Sequence, residues 1–235
     1  MVLSLLLAAT LPAFAQDEPE WGGGVEVDTN LRYLWRGLVF SDLPVVQPSG
    51  WLWWKDGQIS VWTSIPLPGD ESAVFEIDPT AQWTFYLGPV ELTPSVVGYL
   101  YPTDIGASSA EAGANLALPI GPISIYTGHT VDLIAAPGGW YGTLGVALQQ
   151  ELPASFAIDA KVEGGFGGAR YNDAYLGVAK TAVDNVTAGV GVGWSYNFFY
   201  VRAHGEVARW VAPALVTATG RPTPFNVGLA LGIDL

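Results

Sequence analysis

Between Val25 and Arg36 the side chains sort by parity into two classes. Odd positions carry Val25, Val27, Thr29, Leu31, Tyr33 and Trp35; even positions carry Glu26, Asp28, Asn30, Arg32, Leu34 and Arg36. Successive strand residues point to opposite faces, so one face is apolar and the other bears four charges. A soluble sheet would bury the apolar face under a second layer. The same alternation instead recurs about twelve times along the chain with no core helix between. An up-and-down antiparallel β-barrel satisfies every strand at once, with lipid outside and polar groups inside. The expectation is an all-β transmembrane barrel of about twelve strands.

Residues 1–15 read as a signal peptide. Val2 to Leu11 is apolar and Ala13-Phe14-Ala15 is a small-x-small cleavage signal before Gln16-Asp17-Glu18. No Lys or Arg precedes Arg32, so the usual basic leader is missing, as if the start codon were placed too late. The apolar stretch falls well short of the roughly 20 residues of a spanning helix. Residues 16–235 are then one barrel domain in the bacterial outer membrane.

Composition removes several functions. The chain has no Cys, which excludes disulfides, thiolate metal sites and cysteine nucleophiles. Its net charge of −13 argues against nucleic acid and against a basic patch for anionic lipid. Half of the residues are hydrophobic, yet they are dispersed at period two, and ten Trp suit interfacial girdles. No cofactor or metal is implied, since Asp42, Asp70, Glu71 and Asp104 are too sparse for a calcium loop.

Predicted strands cover residues 24–37, 45–55, 58–66, 73–86, 90–101, 110–118, 122–133, 139–150, 154–165, 186–196, 198–209 and 224–235. Lys55-Asp56-Gly57, Gly88-Pro89 and Gly121-Pro122 mark short turns, alternating with longer stretches such as 38–44, 102–109 and 135–139. Residues 166–185 could be a strand or a loop with a helical turn; an even strand number requires the loop. Gly164-Gly165-Phe166-Gly167-Gly168 lacks the Lys-Ser/Thr of a phosphate loop and reads as a strand exit. Gly189, Gly191 and Gly193 strip one inner face and leave room for a neighbouring side chain or a constriction element to pack there.

Parity assigns the pore lining. Glu26, Asp28, Glu76, Asp78, Glu91, Glu111, Asp132, Asp159, Glu163 and Glu206 face inward, together with Arg32, Arg36, Lys161, Arg202 and His204. Ten acids against four bases leave about six negative charges in the lumen. They can form a filled ion-pair network or line a narrow cation-favouring path. Tyr33 and Trp35 are expected outside, in the aromatic girdle, with Gly37 permitting a tight exit.

The segment Tyr33-Leu34-Trp35-Arg36-Gly37, followed by Ser41-Asp42 and Pro44-Val45-Val46-Gln47-Pro48, resembles the Y-[LF]-x-R-G…D…P-x-x-Q opening of the TorF family of outer-membrane porins. The resemblance covers about 20 residues and implies an outer-membrane barrel without established chemistry. The terminal strand ending at Leu235 is similar to the signal read by the outer-membrane insertion machinery, with Leu in place of the usual aromatic.

An enzymatic barrel would need a His near a nucleophile. His129 has outward parity, and His204 lies two residues from Glu206 without a lipid-hydrolase motif around either. The preferred expectation is therefore non-enzymatic: a porin-like channel for passive diffusion of small cationic or neutral solutes. Its partners would be outer-membrane lipid and solute, with homo-oligomerisation left open. The alternative is a closed barrel acting as scaffold or receptor through its loops and turns.

Overall fold

Alternation at period two can be satisfied in lipid only if every backbone amide finds a partner on a neighbouring strand, which requires the sheet to close. The computed structural model describes residues 20–67, 75–102 and 108–235. The expected signal segment 1–15 lies outside these residues. The elements are β1 (Trp21–Asn30), β2 (Tyr33–Trp35), β3 (Leu38–Ser41), β4 (Val45–Trp54), β5 (Gly57–Pro66), β6 (Glu76–Trp83), β7 (Phe85–Leu87), β8 (Val90–Tyr99), β9 (Ser109–Ile120), β10 (Ile123–Asp132), β11 (Trp140–Leu152) and β12 (Phe156–Gly167). They continue with α1 (Ala169–Leu176), β13 (Ala182–Tyr196), β14 (Phe199–Trp210), α2 (Pro213–Thr219) and β15 (Phe225–Asp234).

Strands β6 and β7 are two parts of one wall strand, broken at Thr84 and both paired with β8. Counted so, twelve antiparallel strands form the wall. Closure is made by β1 against β15, in register from Gly24↔Asp234 to Asn30↔Gly228. Among the described residues the wall itself leaves no open edge to aggregate.

The two ends differ. Tight turns join β4 to β5, β7 to β8, β9 to β10, β11 to β12 and β13 to β14, and both β1 and β15 have their outer termini at this same end. Left-handed residues make these turns, among them Gly88 (φ 66°) and Gly121 (φ 61°). The opposite end carries the longer connections, including α1 and α2. Lipid-facing positions such as Val25, Val27, Ile59, Val61, Val190 and Leu231 are exposed. Trp21, Trp54, Trp83, Trp194, Tyr196 and Phe199, also exposed, form a girdle at the short-turn end.

The sequence-predicted strand 24–37 is wrong beyond Asn30. The chain bends at Leu31 and Arg32 and turns into the lumen as the β2–β3 hairpin. Tyr33 and Trp35, expected in the outer girdle, are buried at 5% and 4% exposure. The tip is a two-residue turn with Arg36 at φ 51° and Gly37 at φ 81°, the geometry whose twist matches a tight hairpin. Residues 166–185 resolve as the loop alternative: β12 ends, α1 forms and closes on left-handed Gly177, and β13 begins.

Candidate functional site

Inward side chains divide the lumen into two unlike halves. At the long-loop end it is filled. Tyr33, Trp35, Val45, Tyr141 and Tyr171 form a buried cluster against which Leu38, Phe40, Trp62 and Tyr175 pack. Trp35 stands edge-on to Phe40 and Tyr99 and lies near Tyr175, with centroids at 5.4, 6.2 and 5.3 Å. Edge-to-face contacts at these spacings are the favoured aromatic geometry. The hairpin is thus a plug with an apolar body.

Its polar tip is tied to four wall strands. Arg36 donates to Glu111 Oε1 and Oε2 of β9 at 2.9 and 2.6 Å, and to Thr130 of β10 at 3.1 Å. Asn185 of β13 donates to the Arg36 carbonyl at 2.9 Å, and Trp210 of β14 donates to the Gly37 carbonyl at 3.0 Å. Tyr33 donates to Glu76 of β6 at 2.8 Å, and Tyr101 donates to the same carboxylate at 3.0 Å. A buried ion pair survives the loss of hydration only with such geometry and further partners. Glu111 has one in Tyr99, which donates to it at 3.0 Å.

Four of the acids read as pore lining are therefore packed around the plug and its loops. Glu76, Asp78, Glu111 and Asp132 are 2%, 0%, 2% and 0% exposed. Asp132 is a loop staple, accepting from Ser109, Tyr175 and the amides of Ile134 and Ala136 at 2.8–2.9 Å. Arg32 does not face the lumen from a strand. It lies past the end of β1, donates to Asp42 at 3.2 Å and sits over the Phe225 ring.

Towards the short-turn end the charges are more accessible. Arg202 forms a two-pronged pair with Asp159 at 2.9 and 2.7 Å, both side chains being more than one-third exposed. Lys161 lies 3.1 Å from Glu163 and 3.8 Å from Glu206. His204 contacts both oxygens of Asp28 at 3.0 Å; its partner is this carboxylate and not a serine hydroxyl. Glu26 accepts from Tyr200 at 2.7 Å. Glu91 lies on β8 near its start. In this half six carboxylates (Glu26, Asp28, Glu91, Asp159, Glu163 and Glu206) face two permanent cations, Lys161 and Arg202. Apart from Glu91, the wall around β5, β6 and β8 in this half is amide and hydroxyl, with Gln82 donating to Gln58 at 2.7 Å and Thr84 bonded to Thr93 at 3.1 Å.

Sequence parity missed the inward tyrosines. Tyr99, Tyr126, Tyr141 and Tyr200 all point inward, and three of them donate to a carboxylate. A signal was present in the facing glycines. A Cβ on Gly145 would meet Tyr126, and one on Gly232 would meet Tyr200, so each ring lies over a bare backbone on the next strand. Gly191 likewise leaves room for Arg202 and Asp159, the neighbouring-side-chain alternative for that glycine row.

No family model matches the chain, and no curated protein matches it. Solved structures do match. The NanC porin aligns over 90% of this chain and 98% of its own, with 7% identity and a TM-score of 0.58. The fold is shared with outer-membrane porins. The KdgM porin aligns over 88% and 97% at 8% identity and TM-score 0.57. The translocator domain of the autotransporter NalP from Neisseria meningitidis aligns over 93% and 89% at 11% identity and TM-score 0.50. At these identities the likeness is one of fold.

Proposed function

We propose that the protein is an outer-membrane channel through which small cationic or neutral solutes diffuse passively, narrowed from the long-loop side by the β2–β3 hairpin. The porin fold supports a conduit and not a catalyst. Short turns at one end and long loops at the other support placing the loops outside the cell. Residues 1–15 support export by a cleaved signal, and the Tyr33–Gly37 motif supports kinship with the TorF family. Lipid contacts the outer face, and β15 offers the insertion machinery its terminal strand.

The observation that carries the reading is the excess of carboxylates over Lys161 and Arg202 in the accessible half of the lumen. Carboxylates along a low-dielectric wall concentrate cations and repel anions. The test is a planar-bilayer recording of the reconstituted protein under a KCl gradient. Unitary currents reversing towards the potassium potential support the channel. Anion-biased reversal contradicts the charge assignment.

The plug itself favours a second reading, a closed barrel that serves as a scaffold or receptor through its loops. Absence of current from both the natural protein and a variant with its hairpin anchor removed would favour that reading.

A further inference from the structure

The Arg36 guanidinium occupies a cage that the rest of the barrel supplies. Tyr99 of β8, Glu111 of β9, Thr130 of β10, Tyr141 of β11 and Tyr171 of α1 line it, and none belongs to the hairpin. The guanidinium carbon lies 4.4 Å from the Tyr141 ring centre and 5.4 Å from that of Tyr171. Trp35, from the hairpin, closes the remaining side at 4.5 Å. Glu111 is also held by the Tyr99 hydroxyl, so its carboxylate is oriented by the wall as well as by Arg36. Arg36 itself reaches the cage from the left-handed backbone conformation of the hairpin turn, which residues bearing a side chain adopt infrequently.

We propose that this cage is a binding site for a free planar cation, a guanidinium-bearing solute, which competes with Arg36 and so releases the hairpin. The inference rests on reading the hairpin as the closure of the channel. A fork of N–H donors fits a carboxylate edge while aromatic faces attract the flat cation. A compact, strongly hydrated ammonium ion or sodium cannot reproduce both contacts. Free ligand and the Arg36 side chain cannot share the space. Binding therefore selects the state in which the hairpin has left, and the apparent affinity is lowered by the rarity of that state.

The competition predicts opposite signs in two proteins. Guanidinium chloride added on the loop side at about 1–10 mM, the range for so small a ligand, lengthens the open time of the natural channel several-fold over matched NaCl. In Arg36→Ala, which is open without ligand, the same guanidinium refills the vacated cage under Trp35 and shortens the open time several-fold. Arg36→Ala with Glu111→Gln loses that response. Natural and Arg36→Ala proteins with identical conductance would overturn the hairpin as closure. A more conductive Arg36→Ala, with neither protein responding to guanidinium beyond NaCl, would overturn the cage alone. The recording on the natural protein stands even where a variant does not fold.

Discussion

Arg36, at the tip of a hairpin hanging inside the barrel, grips Glu111 of the facing wall through two hydrogen bonds of 2.9 and 2.6 Å. The two residues are 75 apart in the chain and come together only because the barrel has closed and the hairpin has crossed its lumen. Both side chains are less than one-tenth exposed. Their pairing fixes where the plug ends.

Removing one partner strands the other charge. Glu111→Ala should destabilise the closed hairpin by about 3–5 kcal/mol and raise open probability. Arg36→Met combined with Glu111→Leu keeps volume and removes both charges. It should cost far less and leave the channel mostly closed. Single-channel recordings of the two variants check this; equal opening in both would deny the pair its role.

Ion selectivity should reside in the accessible half of the lumen. Glu91→Gln with Asp159→Asn lowers the excess of acid over base there from four to two, and should roughly halve cation preference in reversal potentials. Glu76→Gln with Asp78→Asn alters buried groups against the plug and should leave selectivity of the remaining current unchanged. The reverse ranking would show that solute passes along β6.

The loop latch should fail in acid. Arg221 hydrogen-bonds Asp42 and, with Arg32, holds its carboxyl below the usual carboxylate range. A depressed folded value contributes stability above the unfolded value of about 3.9 and loses it as pH falls through the folded value. Open probability should therefore be flat in Asp42 from pH 8 to 5 and rise below about pH 4. Asp42→Asn should show the higher opening at pH 7, with that acid component gone. These groups are well exposed, so the effect is small and weakens with salt.

How far the sequence could be read follows from what parity measures. Along β12, Asp159, Lys161 and Glu163 alternate with Ile158, Ala160 and Val162, and lipid contact forces that order, so the strand and its inner face are legible. Parity cannot tell a strand in the wall from one that has turned inside. Tyr33 and Trp35 carry the same period as Val25 and Val27, and only the destination differs. A local signal did exist: Tyr33-Leu34-Trp35 and Leu38-Val39-Phe40 are apolar on both faces around Arg36-Gly37, which a lipid-facing strand does not need. Which inward carboxylates meet water depends on the plug. For that reason Glu76, Asp78, Glu111 and Asp132 could not be separated from Asp159 by spacing alone.

Closure of the lumen by the hairpin is tested most directly with a reversible lock. A Cβ placed on Gly37 would lie 3.4 Å from that of Ala208, near the roughly 3.5–4.5 Å that a disulfide spans. The chain contains no cysteine, so Gly37→Cys with Ala208→Cys gives the single disulfide. The left-handed backbone at Gly37 adds strain of about 1–2 kcal/mol, which the covalent bond tolerates. Recorded in one bilayer, the oxidised variant should pass almost no current and should begin to open when dithiothreitol is added. Equal current before and after reduction of a confirmed disulfide would contradict the account.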